Sequence, residues 1–416
     1  MATTPWLTSD DLISAMKRKI AFPISSNTFS ETDFLEFLNE EMLISQVPSV
    51  LQFHEEYYVT YEIVPLEVDK SRYAIPSRAI GLKLRDLCYA DDAVIAGQEY
   101  GNLFEMSRIL PDDKTYFQKN ANSVNSLHKY YVEGNDIVLT PGISGTPTGS
   151  LVFFFYIRPN KLVANSRAAT VQSFKKNITL VNASIVAADT VTINSVTFTA
   201  VAGSPAANEF QIGGTGTITA VNLAASINTN ATIGTAMSTA AVLTLTYSDI
   251  SYVFSTLNTA GFSIQTAQQI SFDAVPSNIT NSSYVDFLQT KPGHKIISYD
   301  ALLSASAVSA SIITFTAGTV PSGVIVGDYV CSQYECIIPY LPTDLHSGLA
   351  ERTSARILAS IGDTEGLATV NAKIAEIEQR QGNLLDDRVE SSPQKIIARH
   401  SLLRQGTFGR NGRRRT

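Results

Sequence analysis

DTVTINSVTFTAVAG (189–203) alternates apolar and polar residues on both sides of Asn194-Ser195. Val191 and Ile193 precede that pair, and Val196 and Phe198 follow it, each at every second position. Period two puts one face of each arm in a core, and a two-residue connection suits a tight hairpin. The next stretch, TGTITAVNLAASINTN (215–230), changes period. Ala220, Leu223, Ala224 and Ile227 fall at i, i+3, i+4 and i+7, which is one face of a helix opened by a Thr cap. AVLTLTYS (241–248) alternates again, with Leu243, Leu245 and Tyr247 on one face. The order ββαβ in roughly 60 residues predicts a small α+β unit.

This unit lies in a tract of unusual composition. From Asn177 to Val285 there is no Lys or Arg, and the acids are Asp189, Glu209, Asp249 and Asp273. Charge density is ordinary on either side. The change predicts an inserted β-rich domain over 166–287, with a Thr- and Ser-rich outer face suited to sheet packing or to a partner.

The flanks read as one interrupted core. Over 1–165, TSDDLISAMKRK predicts a helix capped by Thr8 or Ser9, with Lys17, Arg18 and Lys19 at its C-terminal dipole end. SETDFLEFLNEEML predicts another, with Ser30 as cap, Asp33 three residues on, and Leu35, Leu38 and Met42 on one face. Pro23 and Pro48 are expected to punctuate these helices. Strand patterns follow in EEYYVTYEIVPL, RYAIPSRAIGLKLRDLCYA, KYYVEGNDIVLTPG and TGSLVFFFYIRPNKLV. Over 288–393 the core returns, as short strands in ASIITFTAGTVPSGVIVGDYVC and then two helices, one from near Asp344 and one carrying Val370, Ile374 and Ile377 on a face. Residues 394–416 form an extended basic arm, broken by Gly406, Gly409 and Gly412. The fold class expected is α+β: a helical and stranded core, an inserted β-rich domain and a C-terminal arm.

Composition narrows function. The chain has 416 residues and a net charge of −7, which opposes a surface that coats nucleic acid as a whole. No signal peptide and no membrane helix are expected. Cys88, Cys331 and Cys336 are too few for a disulfide framework, and Cys331 and Cys336 lack further ligands for zinc, so they read as packing thiols. GGTG (213–216) precedes a helix but lacks the Lys-Ser/Thr end of a phosphate loop, and reads as a turn and cap. HEEYY (54–58) lacks the second His of a zinc helix. His346 follows Asp344, yet no G-x-S-x-G elbow accompanies it, so it reads as a capping or surface histidine. The aspartates of YADDAV (89–94) read as turn residues. No constellation argues for catalysis, so no enzyme, cofactor or metal is expected.

The strongest polar signal is ARHSLLRQGTFGRNGRRRT (398–416), in an ending with no Asp or Glu after Glu390. Charge runs are commonly solvated tails. The functional reading is an arm that threads into a partner or lies near a polyanion, where each Arg–phosphate contact depends on salt.

The segments DLISAMKRKIAFP, SETDFLEFLNEEM, VPSVLQFHEEYYV, YAIPSRAIGLKLRDLCY, GSLVFFFYIRPNKLV, VGDYVC and IPYLPTDLHSGLAERTSARILASIGDTEGL, with the basic ending, resemble head-to-tail connector proteins of tailed bacteriophages. The resemblance implies a virion structural protein of the neck, assembled in the host cytoplasm. It implies a homo-oligomeric ring, commonly twelve-fold, docked on the portal protein around the DNA channel, with a further neck or tail protein below. It also implies that the arm inserts into the portal. Arg399, Arg404, Arg410, Arg413, Arg414 and Arg415, with Leu402, Leu403 and Phe408 as apolar anchors, are then the partner-binding residues, and DNA in the channel is a secondary, non-specific contact. Two other readings stay open: a baseplate, tail-tube or fibre-attachment component, and a module whose uncharged insert recognises glycan or a host surface.

Overall fold

A computed structural model describes residues 7–20, 29–93, 95, 100–113, 129–140, 148–230, 232–290 and 297–385. The fold is mixed α+β. Both N-terminal helices start as their sequences predict. Thr8 caps α1 (Ser9–Lys19) and Ser30 caps α2 (Glu31–Glu41), each in a reciprocal box with the aspartate three residues on. Thr8 and Ser30 donate their own N–H to Asp11 and Asp33 at 3.0 and 2.7 Å.

The helical run does not stop at Pro48. It passes through a π-helical segment, Met42–Gln46, into α3 (Val47–Phe53). A proline lacks the N–H that an α-ladder requires. The π turn shifts the ladder first: the Val47 N–H bonds the Met42 carbonyl, five residues back, and Pro48 falls in the first turn of α3, where its missing donor is tolerated.

Strands β1 (Val59–Pro65), β2 (Arg72–Ala74), β3 (Ala79–Ala90), β4 (Leu103–Glu105), β5 (Lys129–Glu133), β6 (Asp136–Thr140), β7 (Ser150–Ile157) and β8 (Lys161–Leu162) complete the N-terminal part. β1 to β7 pair as β1-β7-β3-β4 and β2-β6-β5, and β8 pairs in parallel with a later strand at Glu335–Cys336. The chain then enters β9 (Ala169–Leu180), β10 (Thr190–Ile193), β11 (Val196–Val201), β12 (Glu209–Gln211), α4 (Gly216–Asn228), β13 (Thr235–Thr239) and β14 (Val242–Tyr247). It continues through β15 (Phe254–Thr256), β16 (Phe262–Ile264), β17 (Gln268–Phe272), β18 (Tyr284–Leu288), β19 (Ile297–Val308), β20 (Ile312–Phe315), β21 (Tyr329–Ser332) and β22 (Glu335–Cys336). Two helices follow, α5 (His346–Ile361) and α6 (Thr364–Leu385). No helix among the described residues is long and apolar enough to cross a membrane.

The hairpin β10–β11 forms as the alternation predicts, with Asn194 and Ser195 both at positive φ (46° and 69°) in the turn. Ala220, Leu223, Ala224 and Ile227 are buried on α4, and Leu243, Leu245 and Tyr247 on β14. The ββαβ order nonetheless does not make one sheet. The hairpin belongs to β12-β11-β10-β15, whereas β14 pairs with β13 and β9 in a larger sheet.

That larger sheet closes on itself. Pairings run β9-β17-β20-β19-β18-β21 and return to β9 through Thr170–Tyr329 and Ala169–Val330. Closure leaves these six strands no free edge. The start of β9 belongs to this barrel, and its end carries β14 and β16. One twelve-residue strand is therefore the spine of both the barrel and the smaller module.

Two large hydrophobic cores result among the described residues, beside a small cluster of Ala355, Leu358 and Val370 between α5 and α6. The first joins α1, α2, α3, β3, β7 and α5, with Phe34, Tyr58, Phe153 and Leu349 all buried. The second draws on residues from Ala169 to Val330 and includes Phe174, Phe198, Phe287 and Phe315. It runs past residue 287, because β18 to β21 complete the barrel that β9 and β17 begin. Beyond α6, the arm residues 394–416 lie outside the described residues.

Candidate functional site

Strand β18 separates the two cores by its own alternation. Val285 and Phe287 point into the barrel core, whereas Leu288 joins the first core. Asp286 shares the outward face with Leu288, and there it meets the first body instead of water. It is fully buried.

The cation that answers it comes from the turn before β3. The Arg78 guanidinium reaches Asp286 at 2.9 Å and Asp300, on β19, at 2.7 Å. Its Nε also donates to Asp300 at 2.9 Å, and its Nη1 donates to the Asn160 side chain at 3.1 Å. Tyr299 and Tyr334 lie against the guanidinium, with ring centroids 4.5 and 4.3 Å away. A planar, delocalised cation suits such a place, since it pairs in its plane and stacks on aromatic rings.

Asp286 is saturated with donors. Besides Arg78, it accepts from the Asn160 amide (2.7 Å), the Asp300 N–H (3.0 Å) and the Tyr334 N–H (3.0 Å). Burial pushes its carboxyl up from the ordinary carboxylate value, and Arg78 and the hydrogen bonds pull against that. Burial also works against the charge on Arg78, but the Asp300 and Asp286 carboxylates outweigh it and hold the guanidinium above its ordinary value. Asp300 and Tyr334 both sit at positive φ (60° and 66°). That region is costly for a tyrosine, so the surrounding bonds hold the turn in place.

A cleft of about 380 Å³ opens beside this cluster. Met42, Leu43 and Pro159 give it an apolar floor, and Tyr334 walls one side. Arg158 and Lys161 line it and are exposed, and neither side chain has a hydrogen-bond or ion-pair partner among the described residues. The cluster can lock two bodies together, and the cleft can receive an anionic, apolar group.

The other sequence candidates have structural roles here. His346 is buried at the start of α5, not at the surface. Its Nδ1 accepts from the Leu7 N–H (3.3 Å), so Nε2 carries the proton and donates to the Leu341 carbonyl (3.2 Å). Both ring nitrogens are engaged by backbone. Burial lowers this imidazole to about 4. The unfolded chain therefore takes a proton near pH 6.5 that the folded chain refuses until about pH 4. Stability is full above the unfolded value and falls as pH drops through that window, by about 3 kcal/mol in all. In urea titrations between pH 7 and 4, His346→Gln should flatten this slope relative to wild type. Parallel slopes would remove His346 as the cause.

Asp91 accepts from Ala93 and Asn102, and Asp92 accepts from the Gly149 N–H at 2.8 Å, so YADDAV staples its own loops. In GGTG, the Gly213 N–H donates to Thr219 Oγ1 and Thr215 caps α4. Cys331 and Cys336 are buried free thiols, both raised by burial. Glu56, in HEEYY, pairs with Arg85 at 2.5 Å. No group of three or more His, Cys, Asp or Glu comes together to hold a metal among the described residues. The arm residues Arg399, Leu402, Leu403, Arg404, Phe408, Arg410, Arg413, Arg414 and Arg415 lie outside the described residues.

The Arg78 cluster was not anticipated from sequence. Its one local sign is the carboxylate inside YVDFL (284–288), a lone acid in an apolar strand beside the charge-poor tract. The sequence matches no known family model, and no curated protein matches it.

Proposed function

We propose that this chain is a virion structural protein of the neck of a tailed phage. In this reading it forms an adaptor ring on the portal and links the DNA-filled capsid to the tail, without enzymatic activity. The observation that carries the reading is the make-up of the first core. The segments that resemble connector proteins, the basic ending apart, are scattered from residue 11 to residue 367, yet most of their apolar residues meet in one body. Leu12, Phe34, Leu38, Val50, Tyr58, Ala79, Phe153, Leu341 and Leu349 are all buried there. The low-charge tract contributes most of the other core, which flanking residues such as Phe174, Phe287 and Phe315 complete. A connector core carrying an insertion would divide in this way.

The physics of the role is compatible with the chain. A ring needs heterologous contacts that close. A glycine-punctuated arm gains affinity by ordering on a partner, at an entropic cost. An acidic body with local basic charge lets DNA pass without binding it along its length.

The test is removal of residues 394–416. The truncated protein should keep the thermal unfolding midpoint of the full chain and lose binding to purified portal protein. Negative-stain images of the full chain should show rings. Portal binding that survives truncation would sink the role of the arm. Protein that assembles as a tube or a fibre would favour a tail or baseplate component instead.

A further inference from the structure

The cleft beside the Arg78 cluster has a chemistry that the adaptor reading does not use. Arg78 itself is fully occupied by Asp286, Asp300 and Asn160. Arg158 and Lys161 are not, and they flank the apolar floor of Met42, Leu43 and Pro159. Glu40, also on the lining, is neutralised by Arg356 at 2.7 Å. Leu43 lines the cleft and remains 47% exposed, and Ile44 beside it is 60% exposed. The surface therefore asks for paired aliphatic side chains followed by carboxylates.

The basic arm cannot supply this, because like charges would meet. The chain does contain the matching pattern at LLDDRVE (384–390), where two leucines are followed by Asp386, Asp387 and Glu390. We propose that the cleft of one subunit binds residues 384–390 of a second copy of this chain.

The helix geometry favours a neighbouring subunit over the same one. Arg352 on α5 bonds both Ser45 and Glu378, so α6 is level with Ser45 at residue 378. α6 packs along α5 and also touches α3, which follows Ser45 in the chain. The cleft is lined by Asn39, Glu40, Met42 and Leu43, which precede Ser45. The end of α6 thus leads away from its own cleft. A segment of one subunit seated in the cleft of the next is a head-to-tail contact, which generates rings or filaments. This inference rests on the homo-oligomeric part of the adaptor reading.

The experiment uses a fluorescein-labelled peptide of residues 380–392. It is titrated onto the full chain carrying D386K/D387K, whose own segment no longer suits the cleft. Saturable binding is expected. In a chain carrying R158E/K161E with Asp386 and Asp387 intact, whose own segment likewise does not suit its cleft, binding should weaken at least tenfold, and a peptide carrying D386K/D387K should recover it. No binding, or binding indifferent to R158E/K161E, overturns the proposal, as does equal binding by a scrambled peptide of the same composition. Sedimentation velocity separates this failure from failure of the ring. Wild-type oligomers that persist unchanged in R158E/K161E overturn the cleft contact and leave the ring standing. A wild-type chain that stays monomeric at all concentrations overturns both.

Discussion

Replacing Arg78 by leucine is expected to lower the unfolding free energy by about 3–5 kcal/mol, read from urea titrations by circular dichroism. The size follows from what remains. Asp286 stays fully buried without its counter-charge, and Asp300 loses two of its donors. The rings of Tyr299 and Tyr334 lose the cation between them. An apolar pair can often replace a buried ion pair without loss, but not here. In R78L/D286L the Tyr334 and Asp300 N–H groups would lose their acceptor, and the Asn160 amide would keep only the Glu335 carbonyl. An orphaned buried donor costs about 1–3 kcal/mol. The double variant should therefore stay well below wild type. A stability change under about 1 kcal/mol for Arg78→Leu would mean that the cluster is solvated and does not lock the bodies.

Phe174→Ala should cost about 3–5 kcal/mol, as deletion of a fully buried aromatic ring does. Its placement makes the loss unusually widespread. Phe174 lies on β9 where Tyr247 of β14 is its partner on one side and Ile270 of β17 on the other. The Tyr247 ring packs against it at 5.9 Å. The barrel and the smaller module both hang on that strand, so both should lose stability together. Hydrogen exchange should show protection falling in β17 and in β14 alike. Loss confined to one of them would show that the two halves fold independently of the shared strand.

Local signals in the chain were legible where short-range physics decides. Thr8–Asp11 and Ser30–Asp33 satisfy helix-end donors within four residues, so the caps needed no tertiary information. Asn194-Ser195 accepts positive φ at both positions, so the hairpin was legible too. Pro48 shows where such reasoning stops. A proline alone signals an end, but the π turn over Met42–Gln46 lets the helix continue, and that depends on what the run packs against.

Much of the candidate site lay beyond reach for the same reason. Arg78 and Asp286 are separated by 208 residues, and Asn160 and Asp286 by 126. Nothing in the neighbourhood of any one of them marks the others. Asp286 within YVDFL signalled only that an acid had to find a partner.

The amino-acid order by itself determined the helices and their caps, the hairpin, the low-charge tract and the basic ending, because each rests on propensity, period or charge within a few residues. Tertiary structure alone decided which sheet each strand joined, that β9 serves two halves, and that the barrel closes through β21. It alone brought Arg78, Asn160, Asp286 and Asp300 together. Those outcomes turn on pairing between distant strands, where burial of a shared face selects among partners that look alike in sequence.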